Sequence, residues 1–164
     1  MEIPSKKECI RLLELNGVPQ NIIAHLNAVH DFSMKVCDAV EKRKIKVDRK
    51  VVAAASLLHD IYKAKSQHHE LEGADYIESL GYKEVAQIIR RHGLINLHKE
   101  EFQPKTWEEK IVFYSDKKCK GNKIVSVDER FEGIKQTYKR EIVEPELQFT
   151  KKIEKELLGD EEIK

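Results

Sequence analysis

Cysteine is scarce in this 164-residue chain: Cys9, Cys37 and Cys119 are odd in number, far apart and form no CxxC pair. Their spacing disfavours a disulfide framework and a thiolate zinc site, and reads as reduced thiols of a cytoplasmic protein. Charge of one sign is missing too. Thirty basic residues stand against 29 acidic ones, for a formal net charge of +1, so no overall field recruits nucleic acid or an anionic membrane. No apolar run approaches the ~20 residues of a membrane span, and the start Met1-Glu2-Ile3-Pro4-Ser5 lacks the basic-then-apolar pattern of a signal peptide. There is no internal repeat, no low-complexity linker and no run of strand period. The basic stretch from Lys44 to Lys50 has no interleaved aromatics and is a poor nucleic-acid signal. The expectation is one soluble, cytoplasmic, all-α domain over 1–164, long enough to bury about two-thirds of its unfolded surface.

Helix boundaries are written plainly. Three S/T-x-x-E boxes, Ser5 to Glu8, Thr106 to Glu109 and Ser126 to Glu129, mark helix starts. The first helix carries Ile10, Leu12, Leu13 and Leu15 and stops at Asn16-Gly17; Pro19 suits the first turn of a second helix reaching about Lys42. On that helix Ile22, His25, Val29, Phe32 and Val36 share one face, which turns His25 toward the core. Asp48 caps a third helix, which runs through the most apolar stretch, Val51 to Leu58, into His59-Asp60. A fourth runs from His69 to Leu80 before Gly81, and a fifth from Lys83 to about His92 before Gly93. Leu94 to Lys105 reads as a long loop of the kind that borders sites. Trp107 to Lys118 forms a sixth helix, Gly121-Asn122 a turn, Ser126 to about Ile142 a seventh helix, and Pro145 to near Leu158 a last amphipathic one. The bundle therefore has about seven to eight helices.

An aspartate behind eight mostly apolar residues needs a partner, because burying an uncompensated carboxylate costs several kcal/mol, roughly. His25, His59, Asp60, His69, His92 and Asp116 all sit on or at the ends of expected helices. Imidazole and carboxylate donors suit iron, manganese, nickel, cobalt or zinc, and the absence of sulfur fits a hydrolytic or redox site better than a structural one. Plainer readings stand beside each: a helix-end salt-bridge network for His59-Asp60, a pairing of Asp116 with Lys117 or Lys110, and solvent-exposed caps for His69 and His92, with His68 competing for the place of His69. His30 and His98 read as surface residues, although His98 in the long loop could touch substrate. Lys63, on the face of His59, and Arg130 are candidates for a phosphate; Arg90 and Arg91 read as solvated helix faces.

The pattern resembles the HD-domain metal-dependent phosphohydrolases, in which a histidine, a His-Asp doublet and a distant aspartate lie on a helical bundle. The matching residues are His25 in "IIAHLNAV", His59-Asp60 in "AAASLLHDIYK" and Asp116 in "KIVFYSDKK". The resemblance covers roughly 10–140, leaving the last helix packed on that core or peripheral to it. It also implies a binuclear site, since His69, followed after three residues by Gly73-Ala74, and His92 stand where two-metal members carry further histidines. Lys63 after the doublet is similar to the branch containing symmetrical diadenosine tetraphosphate hydrolases. The chain departs from other branches: Ile61-Tyr62 replaces the usual Ile-Gly, no Gly-Tyr-Pro signature is present, and Ser115 precedes the last aspartate where alanine is expected.

The implied activity is hydrolysis of a phosphate ester or anhydride in a small phosphorylated molecule, a nucleotide or dinucleotide, with one or two divalent transition-metal ions as cofactor. Asp60 would orient the attacking water and Lys63 would offset charge on the phosphoryl group. Two rivals share the residues: a diiron oxygenase of the myo-inositol oxygenase kind, and a non-catalytic nucleotide-binding domain stabilised by metal. A homo-oligomer is left open.

Overall fold

The computed structural model describes residues 2–138 and 143–163. Within them the chain forms eight α-helices: α1 (Lys6–Leu15), α2 (Gln20–Lys42), α3 (Arg49–Leu58), α4 (His69–Ser79), α5 (Lys83–Arg90), α6 (Trp107–Lys117), α7 (Val127–Tyr138) and α8 (Glu144–Leu158). The all-α expectation holds, and the helix order follows the sequence reading. Residues 139–142, expected to close α7, lie outside the described residues. A short 3-10 turn, Glu100–Phe102, interrupts the long loop.

The centre is built by α2 and α3. Leu26, Val29, Phe32, Val36 and Val40 of α2 are buried with Val52, Ala55 and Leu58 of α3 and Ile111 and Val112 of α6. Helix α3 packs on α1, α2, α5 and α6, which its Ala53-Ala54-Ala55 run favours because small side chains permit close interhelical approach. Helix α4 packs on α5 to one side, and α8 covers α2 and α6. On α1 the apolar set divides: Leu12 and Leu13 are buried while Ile10 and Leu15 are exposed, and Cys9 takes the buried place.

Local starts differ from the sequence expectation in instructive ways. Of the three boxes, Thr106 and Glu109 form a reciprocal pair. Ser5 accepts from the Glu8 amide, but the Glu8 carboxylate is taken by Arg11 at 2.7 and 2.8 Å. Pro19 stands at the N-cap of α2, one place before the first helical residue. Gly17 and Gly81 take the left-handed conformation expected after a helix, whereas Gly93 does not. Its reason is steric: a Cβ at 93 would lie 3.1 Å from Cγ of Glu70. The Gly121-Asn122 turn proves to be the tip of a two-stranded antiparallel hairpin, β1 (Cys119–Lys120) and β2 (Lys123–Ile124), too short to show a period in sequence.

Arg91 is not a solvated residue of the helix face. It donates to the Glu109 carboxylate at 2.6 Å and to the Glu101 carbonyl, fastening the end of α5 and the long loop to the start of α6. Glu109, buried, also accepts from the amides of Lys105 and Thr106. Removing one member of a buried charge pair strands the other, at about 3–5 kcal/mol. Glu109→Ala is therefore expected to lower unfolding free energy by about 3 kcal/mol in urea titration, while Glu8→Ala leaves the midpoint unchanged within error.

Candidate metal centre

Helix ends carry the chemistry. His25 comes from the second turn of α2, His59 caps the C-terminus of α3 with Asp60 beside it, His69 opens α4, His92 lies two residues beyond α5, and Asp116 sits in the last turn of α6. Carbonyls in the last turn of a helix lack an intrahelical donor, and two of them orient imidazoles here. Nδ1 of His59 donates to the Ser56 carbonyl at 2.8 Å and Nδ1 of His92 to that of Ile89 at 2.6 Å. Nδ1 of His25 donates to the Gly121 carbonyl at the hairpin tip, at 2.7 Å. A carbonyl can only accept, so these three rings carry their proton on Nδ1 and, when neutral, present the Nε2 lone pair inward.

Those lone pairs meet carboxylate oxygens. Nε2 of His25 lies 2.9 Å and that of His59 3.2 Å from Oδ1 of Asp116. Oδ2 of Asp60 faces the same two nitrogens at 3.5 and 3.4 Å, while its Oδ1 faces Nε2 of His69 at 3.1 Å and of His92 at 3.3 Å. Two donor groups result, His25, His59, Asp60 and Asp116 on one side and Asp60, His69 and His92 on the other, with the ligand atoms of each within 4.8 Å of one another. Asp60 belongs to both. Oxygen and nitrogen lone pairs at such distances repel unless a proton or a metal cation stands between them, and Oδ2 of Asp60 is buried without a hydrogen-bond partner. The donor set thus fits a divalent metal.

The titration directions report the same convergence. Burial opposes ionisation of Asp60, but the electrostatic pull of His59 and the hydrogen bonds of His69 and His92 hold its pKa well below the carboxylate range. Asp116 is likewise held low against burial, by the Lys117 ammonium and by His25 and His59. For His25, burial pushes the pKa down but Asp116 outweighs it and the net shift is upward; for His92, burial wins and the shift is downward. At His25, the one of these groups shifted toward its protonated form, a metal ion would compete with the proton.

Two further charged residues belong to the cluster: Lys117, considered in sequence only as a rival partner for Asp116, and Glu70, which sequence reasoning missed. Lys117 is buried; its Nζ donates to Oδ2 of Asp116 at 2.7 Å and to the His92 carbonyl at 2.8 Å, and lies over the Phe113 ring. Pairing of Asp116 with Lys117 and facing the histidines are thus not alternatives, because each uses a different oxygen. Lys110 instead pairs with Glu156. Glu70 is also buried, its Oε2 3.4 Å from Nδ1 of His69 and its Oε1 without a partner. In sequence, Lys117 looks like its exposed neighbours in a lysine-rich run, and Glu70 like any acidic residue of a first helical turn.

Among the remaining candidates, Nζ of Lys63 lies 3.8 Å from Oδ2 of Asp60. His69, 21% exposed at its side chain, forms the open edge of the cluster, whereas His68 is the N-cap of α4 and lies outside both donor groups. Arg130 is half-buried, donates from Nε to the Cys119 carbonyl, and is close enough to Lys117 to depress its pKa, although burial is the larger cause. His98 is exposed on the long loop. His30 is half-buried beside Asp31, and Arg90 pairs with Asp75. Shallow depressions on α1 and α8 are lined by other residues than these.

A helical bundle with this His and Asp arrangement defines a class, and comparison with known proteins agrees. Residues 22–121 match the HD domain family, so the chain belongs to that family. It is 31% identical over 127 residues to an uncharacterized protein of Methanocaldococcus jannaschii, covering 70% of this chain and 75% of that protein. It is also 28% identical over 138 residues to the tRNA (cytidine(56)-2'-O)-methyltransferase of Picrophilus torridus and 28% identical over 134 residues to that of Thermoplasma volcanium. These matches take in 76% and 74% of this chain but span only 39% and 38% of the two methyltransferases. No solved structure matches significantly.

Lys117→Met leaves Asp116 Oδ2 and the His92 carbonyl without their buried donor. The expected loss is on the order of 3 kcal/mol in urea unfolding, and an unchanged midpoint would mean that Lys117 does not support the centre.

Proposed function

We propose that the chain is a metal-dependent phosphohydrolase whose centre holds two divalent transition-metal ions, one among His25, His59, Asp60 and Asp116 and one among Asp60, His69 and His92. The observation that carries this reading is the convergence of four imidazole Nε2 atoms on two carboxylates. Bound divalent ions supply Lewis acidity toward water and toward a phosphoryl oxygen. The chain supplies the rest. Asp60 offers one oxygen to each group and fixes their separation. Lys63, anchored near Asp60, is placed to offset charge that develops on the phosphoryl group. Arg130, close to Lys117, and His98 on the loop complete the substrate-binding set. We take 1–164 as one catalytic unit working in the cytoplasm, with α8 part of it through its packing on α6.

For the substrate, resemblance to the binuclear branch supports a nucleotide or dinucleotide. The similarity to two tRNA methyltransferases supports a second reading, an RNA-linked phosphate, although the shared stretch is the smaller part of those proteins. The experiment is elemental analysis of the purified protein with phosphate release measured on a nucleotide and dinucleoside polyphosphate panel, with and without oxygen, and oxygen uptake followed in the aerobic arm. About two metal ions per chain are expected for the wild type and one for His69→Ala. Asp60→Asn should lose both and lower turnover by at least about a hundredfold, the scale of removing one electrostatic partner of a transition state. Metal-free wild type after reconstitution sinks the assignment, and oxygen consumption with bound iron transfers it to the oxygenase reading.

Histidines ligate when neutral, so protons compete with the ions as pH falls. Metal content after dialysis is expected to drop between about pH 7 and pH 5, on the acid side of which imidazole is protonated; retention below that range would exclude imidazole ligation.

A further inference from the structure

Three of the four imidazoles in the centre are aimed by backbone carbonyls, and His69 is not among them. Its place in the fold explains why. His69 opens α4, and the free backbone groups at the start of a helix are N–H donors, which cannot accept a ring proton. An acceptor behind this ring has to come from a side chain. Glu70 supplies one: its Oε2 lies 3.4 Å from Nδ1 of His69, while Nε2 of the same ring faces Asp60 at 3.1 Å. The Glu70 side chain is only 4% exposed, and its Oε1 has no hydrogen-bond partner. Burying such a group works against stability, so packing gives no reason for a glutamate here. Its seat is nevertheless made to fit. Gly93 follows His92, the other histidine of the same donor group, and a Cβ there would stand 3.1 Å from Cγ and 3.3 Å from Cδ of Glu70.

We infer that Glu70 is the positioning residue of the second metal position. It accepts the Nδ1 proton of His69, which leaves Nε2 as the lone pair that completes the group of Asp60, His69 and His92, and Gly93 keeps the space that this carboxylate needs. The inference rests on the two-ion reading above. It makes occupancy of the second position depend on two residues that belong to neither donor group, whereas the position among His25, His59, Asp60 and Asp116 does not depend on them.

The test titrates the metal-free full chain with zinc, following stoichiometry and stepwise affinity by calorimetry, beside thermal melting of the metal-free protein. Wild type should bind two ions. Glu70→Met fills the same space without an acceptor; it should keep the first ion and weaken the second about ten- to a hundredfold, the range for removing a partner behind a metal ligand. Its metal-free melting temperature should not fall, because an apolar chain has replaced a buried carboxylate with an unpartnered oxygen. Glu70→Gln retains a carbonyl oxygen that can accept from Nδ1 and should hold the loss below the roughly tenfold lower end of that range. Gly93→Ala crowds Glu70 and should weaken the second ion as Glu70→Met does. Unchanged second-ion affinity in Glu70→Met overturns the inference. So does an equal loss in Glu70→Gln, which would make charge, and not an acceptor behind the ring, the contribution of Glu70. Fewer than two zinc ions in the wild type overturns the two-ion reading and the inference with it, an outcome read without any variant.

Discussion

Three backbone carbonyls fix the protons of three buried histidines, and the centre depends on that constraint. With Nδ1 committed to Gly121, Ser56 and Ile89, each neutral ring has one lone pair left and it points at a carboxylate. Hydrogen bonds behind a ligand are what set its tautomer and its aim. The backbone does this at little cost, because two of the three carbonyls belong to helix ends, where carbonyls lack a full complement of intrahelical donors; that of Ile89 accepts the His92 amide as well as its ring. His69 is the exception, with the Glu70 carboxylate near its Nδ1. A carboxylate partner draws the ring proton more strongly than a carbonyl does and would make Nε2 of this more exposed histidine a better donor.

The two aspartates are made unequal by one lysine. Lys117 occupies Oδ2 of Asp116, so that carboxylate has a single oxygen to offer the His25 and His59 side. Asp60 has no such buried ammonium against it, and its two oxygens divide between the two groups. The membership of Asp60 in both donor groups follows from this asymmetry and not from the order of the residues in the chain. Lys117 also bonds the His92 carbonyl, linking the backbone of one donor group to the side chain of the other. A buried ammonium normally carries a severe desolvation cost; here a carboxylate, a carbonyl and an aromatic face share it.

Much of this was legible in the sequence, and what was not has a physical reason. Helix periodicity put His25 on the core face, and an aspartate behind the Val51–Leu58 run demanded compensation, so the burial of His25 and Asp60 could be anticipated from pattern, whereas Asp116 needed the family resemblance. His69 and His92 needed the family pattern, because a histidine at a helix end is as compatible with solvent as with a metal. His92 stands past the end of α5, where the chain leaves the helix and the ring can turn back to the Ile89 carbonyl, a geometry that no periodicity encodes. Arg91 was read by composition as one more charge in a charge-rich chain, and Lys117 as a rival partner that would take Asp116 away from the histidines; only the long-range contacts to Glu109 and to the His92 carbonyl show their places. Gly93 was taken for a helix terminator, but its role comes from Glu70 arriving from a different helix.

The chain as a whole is almost neutral, so attraction for an anion has to be local. Within the centre, Asp60, Asp116 and Glu70 are the carboxylates, and Lys117, Lys63 and Arg130 are the nearby cations. Without metal these nearly cancel. Two divalent ions would leave a clear positive surplus in a site largely shielded from water, where Coulomb terms are screened least. Such a surplus would be a poor resting state unless the ligand that completes the site brings negative charge with it. Dioxygen, the substrate of the oxygenase reading, is neutral and does not, whereas a phosphate ester or anhydride does. An anionic ligand would offset that surplus, and Lys63, exposed at the edge of the centre 3.8 Å from Asp60, would meet it from the solvent side.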